Sequence, residues 1–322
     1  MTIEAQLYQD GACVEDWTAD GTYSAGDVVQ LKGGRAGVLT QDCVSGQVIG
    51  VYVSGTFTVQ KTTSMVLLQG GRVYWDHSAN LAHYKKVNDR DFLMGTAAED
   101  ATSAGATVKV QLNVNPVYDL DINRDPCLSV TVGTAAAGGF GYPVRLGGAN
   151  VLELTATNEA QKVDLMSADG FATGANAIIE FAFRVISDGS GSAVDVSLGV
   201  ANGTHATDAD SIAESIFIHL DANNTNINAE SDDGTTEVAA TDTTLDYTEG
   251  SAIASRVEVW MDMRDPADVQ IYVNGALVLG STVFGVGAAA GPWFLLAHME
   301  KTSSTDTYKL ALDWMRARYA QV

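Results

Sequence analysis

Alternation of apolar and polar residues is clearest in the second half of the chain. Between positions 178 and 186 the odd-numbered residues are apolar, while Glu180 and Arg184 occupy even positions. Three further segments repeat this period of two, namely 194–200, 216–220 and 257–263. A period of two is typical of a strand with one buried face. These segments are therefore predicted to be half-buried antiparallel strands.

A hairpin is predicted in the sequence VQIYVNGALVLG at 269–280. Asn274 and Gly275 lie between two apolar runs, and this pair of residues suits a type I′ turn. Predicted strands of similar length continue across residues 150–322, a pattern typical of a two-sheet sandwich. We therefore predict a jelly-roll β-sandwich for this range.

The first part of the chain also predicts strands separated by tight turns. Gly-Gly pairs at 33–34 and 70–71 and a Ser-Gly pair at 54–55 are turn signals. The predicted strands are 27–31, 36–39, 47–53, 56–61, 65–68, 72–75 and 107–113. A short helix is predicted over 78–86. Residues 26–117 are expected to form a small β-barrel-like or β-tulip-like module, which makes the whole chain all-β.

Two segments are predicted to lie outside these strands. Residues 1–25 are polar, with apolar residues only at intervals, and are expected to form an extended arm that adds a strand to a neighbouring subunit. Residues 118–149 contain two prolines and the run AAAGGFGYP. Because proline and glycine weaken strand ladders, this segment is expected to be a linker.

Charge is divided unevenly along the chain. The formal net charge is −22; residues 1–117 hold 8 Lys+Arg and 12 Asp+Glu, and the remaining residues hold 10 and 28, which gives −4 and −18. Phosphate backbones and anionic lipids repel such an acidic surface. Sequence-independent binding to nucleic acid or to a membrane surface is therefore excluded.

The cysteines and the N-terminal residues indicate a reducing cytoplasm as the place of synthesis. Cys13, Cys43 and Cys127 are odd in number and far apart, which favours free thiols over disulfides or a zinc site. The first residues lack the basic and apolar regions of a secretory leader. The longest apolar run is interrupted by glycines and Pro292, so no membrane span is expected.

No metal site is predicted. Asp119, Asp121, Asn123 and Asp125 form D-x-D-x-N-x-D, but Arg124 stands where a calcium loop of this type needs glycine. The five histidines are scattered, and none has the i, i+4 spacing of a metalloprotease helix.

No catalytic residue and no cofactor are predicted either, so the chain is not expected to be an enzyme. Glu258 and Asp262 share a strand face, but four residues of strand separate their backbones by roughly 13 Å. Glycosidase pairs lie roughly 5 to 9.5 Å apart. The nucleophile elbow G-x-S-x-G and the Gly-Lys pair of a phosphate loop are both missing.

The tryptophans allow two interpretations. Trp260 lies on the otherwise polar face of its strand, where it is either covered by a loop or further layer, or serves as an interface or sugar-stacking platform. Trp293 and Trp314 occur in apolar runs and are expected in the core.

Five segments of the first part carry a resemblance to a known family. They are SAGDVVQL (24–31), GRAGV (34–38), SGQVIGVYVSGTFTVQK (45–61), GGRVYWDHSANLAHYKKVNDRDFLMGTAAED (70–100) and ATVKVQLN (106–113). In this order they resemble the capsid cement, or head-decoration, proteins of tailed bacteriophages. Residues 150–319 resemble concanavalin A-like or laminin-G-like jelly rolls, through VEVWMDMRDPADVQIYVNGALV (257–278) and KLALDWMRARY (309–319).

The resemblance implies a structural virion protein on the outer capsid surface. It implies the major capsid protein as partner, a homotrimer as oligomeric state, and a stabilising role in the head. The charge division of −4 against −18 leads to the further expectation that the first module contacts the capsid and the jelly roll projects outward. The residues considered for the capsid contact are Leu7, Tyr8, Trp17, Trp75 and His77. The alternative is a receptor- or glycan-binding virion protein that uses Trp260 on host-surface sugars.

Overall fold

The computed structural model describes residues 4–9, 14–134, 145–146, 149–189, 191–206 and 208–320, with only the backbone at residues 7, 9, 145 and 146. The chain forms two compact units, Met1–Val117 and Tyr118–Val322. The described residues form β-strands and two 3-10 helices, Ala209–Ser211 and Ile253–Ser255. The all-β prediction is therefore confirmed. Among these residues, no helix has the length and hydropathy needed to cross a membrane.

The first unit contains ten strands in its described part. They are β1 (Ala5–Gln9), β2 (Val14–Thr18), β3 (Val28–Gln30), β4 (Ala36–Leu39), β5 (Val48–Tyr52), β6 (Thr56–Gln60), β7 (Arg72–Asp76), β8 (Leu81–His83), β9 (Phe92–Ala97) and β10 (Thr107–Leu112). A six-stranded sheet has the order β1-β6-β10-β9-β7-β8, and a four-stranded sheet has the order β2-β5-β4-β3.

Both sheets of the first unit follow the period-two pattern of their sequences. In β6, Phe57 and Val59 are buried, while the threonines and glutamine beside them are half-buried. In the four-stranded sheet, Leu39, Ile49 and Val51 belong to one apolar cluster. Alternation therefore directs one face of each strand into an apolar core.

Strands replace the extended arm predicted for residues 1–25. β1 pairs antiparallel with β6, and β2 pairs antiparallel with β5. The Glu4 carboxylate also accepts a hydrogen bond of 2.9 Å from the backbone N–H of Val28. Unpaired backbone groups along β5 and β6 are satisfied by this segment of the same chain. The prediction that this segment forms a separate extended arm is therefore wrong for residues 5–9 and 14–18.

A turn and a strand replace the helix predicted over 78–86. The Asp76 carboxylate accepts a hydrogen bond of 2.9 Å from the backbone N–H of Ser78, and Asn80 adopts a φ of 56°. The chain then reverses into β8, which pairs with β7. Aspartate and asparagine favour such turns over helix. The strand predicted over 65–68 is only an isolated bridge.

The cysteines are free thiols where the structure describes them. Cys43 is buried in the apolar cluster that also contains Leu39 and Ile49, and Cys127 is half-buried in the second unit. Burial raises the pKa of the Cys127 thiol to about 11, which makes it a poor nucleophile near neutral pH. Cys13 lies outside the described residues.

The second unit contains fifteen strands in its described part. They are β11 (Leu120–Asp121), β12 (Cys127–Val132), β13 (Arg145–Leu146), β14 (Ala149–Leu154), β15 (Glu159–Ser167), β16 (Ala177–Ser187), β17 (Val194–Ala201), β18 (Glu214–Asp221), β19 (Asn226–Asp233), β20 (Glu237–Asp246), β21 (Val257–Met263), β22 (Gln270–Val273), β23 (Ala276–Val278), β24 (Phe294–Ser304) and β25 (Tyr308–Arg318).

Two antiparallel sheets enclose the core of the second unit. The seven-stranded sheet has the order β12-β15-β24-β17-β18-β19-β20. The eight-stranded sheet has the order β13-β14-β25-β16-β21-β22-β23, with β11 also paired to β25. Apolar residues of both sheets, among them Phe181, Val196, Ile218 and Met261, form one buried cluster. The jelly-roll sandwich and the alternating faces predicted from the sequence are confirmed.

Residues 118–134 belong to the second unit, although the whole range 118–149 was expected to be a linker. β11 pairs with β25, and β12 pairs with β15. Leu120 and Ile122 are buried in the core of the sandwich. Pro126 comes directly before β12, where its missing N–H interrupts no ladder. Burial of two apolar side chains outweighs the turn-forming composition.

The hairpin predicted at Asn274-Gly275 is confirmed. These residues adopt φ values of 52° and 81°, as both central positions of a type I′ turn require. The turn connects β22 to β23, which pair antiparallel.

We predict that Phe181→Ala lowers the free energy of unfolding of the second unit by about 3–5 kcal/mol, because it leaves a cavity in the core. Phe181 is fully buried. Urea unfolding of the full chain, followed by tryptophan fluorescence, measures the change. Leu277→Ala is the matched control, since Leu277 is 45% exposed and is expected to change stability little. Equal effects of the two substitutions would contradict the assignment of this core.

Candidate functional site

The residues predicted to contact the capsid occupy different environments in the first unit. Tyr8 is 56% exposed, and the Nζ atom of Lys109 lies 3.8 Å from the centre of its ring. His77 is exposed in the turn after β7. Both side chains are available to a partner. The Leu7 side chain lies outside the described residues.

The two tryptophans of this set are less accessible. Trp17 is half-buried and packs edge-on against Tyr23, with ring centres 5.6 Å apart. Trp75 is fully buried. A fully buried ring cannot touch a partner in this conformation, so Trp75 is removed from the contact candidates. Its position in β7 follows the apolar alternation with Val73, and this periodicity was the signal for burial.

Two exposed valines lie on the four-stranded sheet, in addition to the residues considered for the capsid contact. Val14 is 48% exposed and Val48 is 61% exposed. The register pairs Val14 with Tyr52 and Thr18 with Val48, so the two valines lie on the same face, opposite the cluster that contains Ile49. Apolar residues on an exposed sheet face often mark protein contacts.

The outer face of the seven-stranded sheet carries a polar row that crosses five strands. The register aligns, in order, Asp164 of β15, His298 of β24, Ser197 of β17, His219 of β18 and Asn228 of β19. All five residues are buried, although they lie on the face opposite the apolar core. Buried polar groups need partners; in this row Asp164 lies 2.6 Å from His298, whereas Ser197 Oγ makes no hydrogen bond within the described residues.

His298 is the fully buried centre of the first half of this row. Its Nδ1 lies 2.6 Å from Asp164, and its Nε2 lies 3.1 Å from Glu300. Asp164 also pairs with Lys162 at 2.8 Å and accepts a hydrogen bond from Thr204. Burial lowers the pKa of His298, but the two carboxylates outweigh burial and raise it. The ring is therefore held as an imidazolium.

His219 has a similar environment in the second half of the row. Its Nε2 lies 3.0 Å from Asp221 and its Nδ1 lies 3.5 Å from Glu230. Burial lowers the pKa of His219, but these carboxylates outweigh burial and raise it to about 11. Burial, together with the neighbouring acids, raises the pKa of Asp195 to about 6. The alternation over 216–220 predicted that His219 lies on the outer face, but it did not indicate its partners, and no alternation in the sequence predicted the position of His298.

The outer face of the eight-stranded sheet carries aromatic side chains. Trp260 is half-buried between Glu180 and Tyr272 in the register, and its ring centre lies 6.5 Å from that of Tyr272. Trp314, expected in the core, is half-buried on this sheet, with the guanidinium of Arg256 4.7 Å from its ring centre. An arginine stacked on an aromatic ring stabilises its position on a sheet surface.

Glu258 and Asp262, the two acids considered as a glycosidase pair, are both bound to arginines. Glu258 pairs with Arg256 at 3.0 Å, and Asp262 pairs with Arg264 at 2.5 Å. Each carboxylate is therefore bound by an arginine two residues away along the chain, and the strand separation of the two acids exceeds that of a glycosidase pair. The geometry of this pair gives no support to glycoside hydrolysis.

The acidic run at 119–125 forms a turn. Asp121 accepts a hydrogen bond of 2.9 Å from the backbone N–H of Asn123, and Asp125 accepts one of 2.8 Å from Asp121. Asp119 accepts one of 2.8 Å from the backbone N–H of Tyr319. The carboxylates therefore satisfy backbone donors of β11 and of the end of β25, so the segment is structural and not a hydrated linker.

A cavity of about 340 Å³ lies beside the loop that follows β15. Its walls include Phe171 and Tyr319, whose rings stack with centres 5.2 Å apart, and the backbone of the glycine-containing segment 170–175. A cavity of this volume is within the range of small-molecule sites.

We predict that His298→Gln lowers the free energy of unfolding of the second unit by about 3–5 kcal/mol, because it leaves buried carboxylates without their cation. The wild-type contribution is complete below the ordinary histidine pKa of about 6.5 and is lost as pH rises through the raised folded value. The variant should lack this loss. Urea titrations between pH 6 and pH 9 measure both effects.

His77→Gln is the control for this experiment, because His77 is exposed. It should leave the stability and its pH dependence unchanged. A His298→Gln variant with the wild-type pH dependence would show that the ring is neutral in the folded protein.

Comparison with solved structures finds similar β-sandwiches at low identity. The carbohydrate recognition domain of Emp47p is 12% identical, over 60% of this chain and 89% of that chain, with a TM-score of 0.41. The exoplasmic/lumenal domain of VIP36 is 9% identical, over 61% and 85%, with a TM-score of 0.38. The laminarinase catalytic domain from Thermotoga petrophila is 12% identical, over 55% and 82%, with a TM-score of 0.35. These scores are too low to transfer a ligand or an activity.

Comparison with protein families gives a match in the first unit. No curated protein sequence matches the chain. The family model described as phage cement protein matches residues 8–112, which extend from β1 to the end of β10. The resemblance inferred from the segments of the first part is confirmed. Residues 8–112 are therefore similar to the phage cement protein family.

Proposed function

We propose that this chain is a capsid decoration protein, which binds the outer surface of a phage head through its first unit. The family match over residues 8–112 is the observation that carries this proposal. The role is structural and uses no catalytic group, in agreement with the arginine-paired acids of the second unit. The major capsid protein is the proposed partner.

The uneven charge supports the proposed orientation. The first unit carries −4 and the second −18. Docking a strongly acidic surface on a protein shell incurs repulsion wherever the shell is also acidic, whereas a nearly neutral module avoids this cost. The second unit is therefore proposed to project into solvent. Its acidity then keeps decorated particles apart in solution.

The proposed contact uses exposed groups of the first unit. Tyr8 and His77 are accessible, and Val14 and Val48 add an exposed apolar face. A module that binds several capsid subunits at once stabilises the assembled shell by mass action. A homotrimer, as the resemblance implies, would multiply this effect.

We predict that a fragment of residues 1–117 decorates capsids that lack the protein, while a fragment of residues 118–322 does not. Each fragment contains its own sheets and apolar cluster, which supports independent folding. Circular dichroism checks the folding, and sedimentation with purified capsids followed by gel densitometry measures occupancy. Binding by the second fragment alone would reverse the proposed orientation.

Two substitutions in the full chain locate the contact within the first unit. Tyr8→Ala tests the six-stranded sheet and Val48→Asp tests the four-stranded sheet. Val87→Asp is the matched control, because Val87 is also exposed but lies in the loop after β8. The substitution at a residue of the capsid contact should lower capsid occupancy, whereas Val87→Asp should leave it unchanged.

Glycan binding by the second unit is a second candidate function. It is favoured by the half-buried Trp260 and Tyr272, which lie side by side on a sheet surface, and by the cavity beside Phe171 and Tyr319. Aromatic faces stack on the apolar faces of sugars.

We predict that, if this second function operates, a glycan-array signal of the full chain is lost on Trp260→Ala and retained on Leu277→Ala. Leu277 is the matched control because it lies in the same register row as Trp260, opposite Tyr272. Tyr319→Ala separates the cavity from the sheet surface as the binding location. A wild-type chain that binds no glycan on the array would remove this candidate.

A further inference from the structure

Strand β2 lies at an edge of the four-stranded sheet in the first unit. Within the described part of the chain, its only strand partner is β5. Edge strands are usually protected by bulges, charges or a covering segment, because their backbone groups can pair with another chain. The edge strand β1 of the other sheet has such a bulge between Leu7 and Gln9. By contrast, the register of β2 with β5 is continuous from Val14 to Thr18.

The hydrogen bonds around β5 show which backbone groups of β2 remain open. The N–H of Ala19 donates to the carbonyl of Gln47 at 2.8 Å, so the odd-numbered residues of this segment face β5. Gly50 lies opposite Asp16, and its carbonyl accepts a hydrogen bond of 2.7 Å from Thr40 Oγ1, on the side of β5 away from β2. Backbone groups of successive residues point to opposite sides of a strand. Three residues of β2 therefore direct their N–H and C=O groups away from β5: Val14, Asp16 and Thr18.

The odd-numbered side chains hold β2 in place. Arg35 donates hydrogen bonds of 2.8 and 2.5 Å to the two carboxylate oxygens of Glu15. Trp17 packs edge-on against Tyr23, with ring centres 5.6 Å apart. The strand is therefore fixed before any partner arrives. A fixed strand loses little conformational entropy when another strand pairs with it.

The even-numbered side chains give this edge a specific chemical character. Val14 and Val48 are 48% and 61% exposed on the same face of the sheet. Asp16 is exposed between Val14 and Thr18, and it forms no ion pair with any described residue. Across a sheet, apolar side chains and opposite charges pair favourably. The complementary strand therefore carries an apolar side chain beside the valines and a lysine or arginine beside Asp16.

This pattern disfavours a second copy of the chain as the partner strand. Two copies of β2 that pair antiparallel over all five residues place Asp16 opposite Asp16, because this residue is the centre of the strand. Like charges directly opposite each other destabilise a sheet. The favoured partner is therefore a strand of a different protein.

We propose that β2 accepts an extended segment of the major capsid protein, which becomes the fifth strand of the four-stranded sheet. This inference rests on the proposed capsid-binding function and names the backbone that makes the contact. Hydrogen bonds to Val14, Asp16 and Thr18 supply affinity, while the exposed valines and the Asp16 carboxylate set the register of the incoming segment.

Asp16→Pro in the full chain tests the role of the backbone. Proline removes the N–H of residue 16, which points away from β5, so the pairing of β2 with β5 is retained. We expect apparent affinity for capsids that lack the protein to fall about tenfold or more, measured by sedimentation and gel densitometry. Asp16→Ala is the matched control, because it removes the same carboxylate but keeps the N–H. It should weaken binding no more than about threefold, as expected for one exposed ion pair.

Hydrogen exchange of the wild-type chain, followed by mass spectrometry, tests the same contact without a substitution. On capsids, a peptide that covers residues 14–18 should gain protection at its outward-facing amides. A peptide that covers β12, an edge strand of the second unit, is the control and should show no gain. Circular dichroism confirms that both variants are folded.

The possible failures are distinguishable. Wild-type binding without added protection over residues 14–18 would overturn this inference and leave the capsid-binding function intact. Equal capsid affinity of Asp16→Pro and the wild type would do the same, and so would equal losses in Asp16→Pro and Asp16→Ala. A wild-type chain that binds no capsid would overturn both the proposed function and this inference.

Discussion

The strict alternation of side chains along the strands of the second unit is the constraint on which its other features depend. Each strand contributes one face to a single apolar core, so residues of opposite parity must lie on the outer faces. On the seven-stranded sheet, this parity places His219 and His298 outside the core, yet the structure buries both. Carboxylates on neighbouring strands then have to compensate their charge, because an unpaired buried ion is too costly.

The same constraint accounts for the acidic character of this unit. Two imidazolium rings are each placed between two carboxylates, so each of these two buried positive charges is accompanied by two negative charges. Around Glu230 the carboxylates exceed the available cations, and burial raises the pKa of that carboxyl.

The first unit is held together differently from the second, in a way that agrees with the proposed docking role. It has short strands in two sheets, and side chains such as Asp76 and Asp91 fix its turns by accepting backbone hydrogen bonds. Such turns hold exposed loops in place without a large core. Rigid loops lose little conformational entropy on binding, so a modest contact can bind a repetitive surface well. In the proposed function, the acidic second unit leaves the docking role to the first unit.

The sequence by itself determined the all-β class, the faces of the long strands, the turn at Asn274 and Gly275, and the family of the first module. These features depend on local periodicity, turn chemistry and the order of motifs, all of which can be read directly from the sequence. Tertiary structure alone decided that residues 5–9 and 14–18 pair within their own unit, that Leu120 and Ile122 join the sandwich core, and that Trp314 is half-buried. It also brought His219 and Glu230 together from two different strands. Strand pairing between distant segments depends on which edges and faces remain open after folding, and no local pattern contains that information.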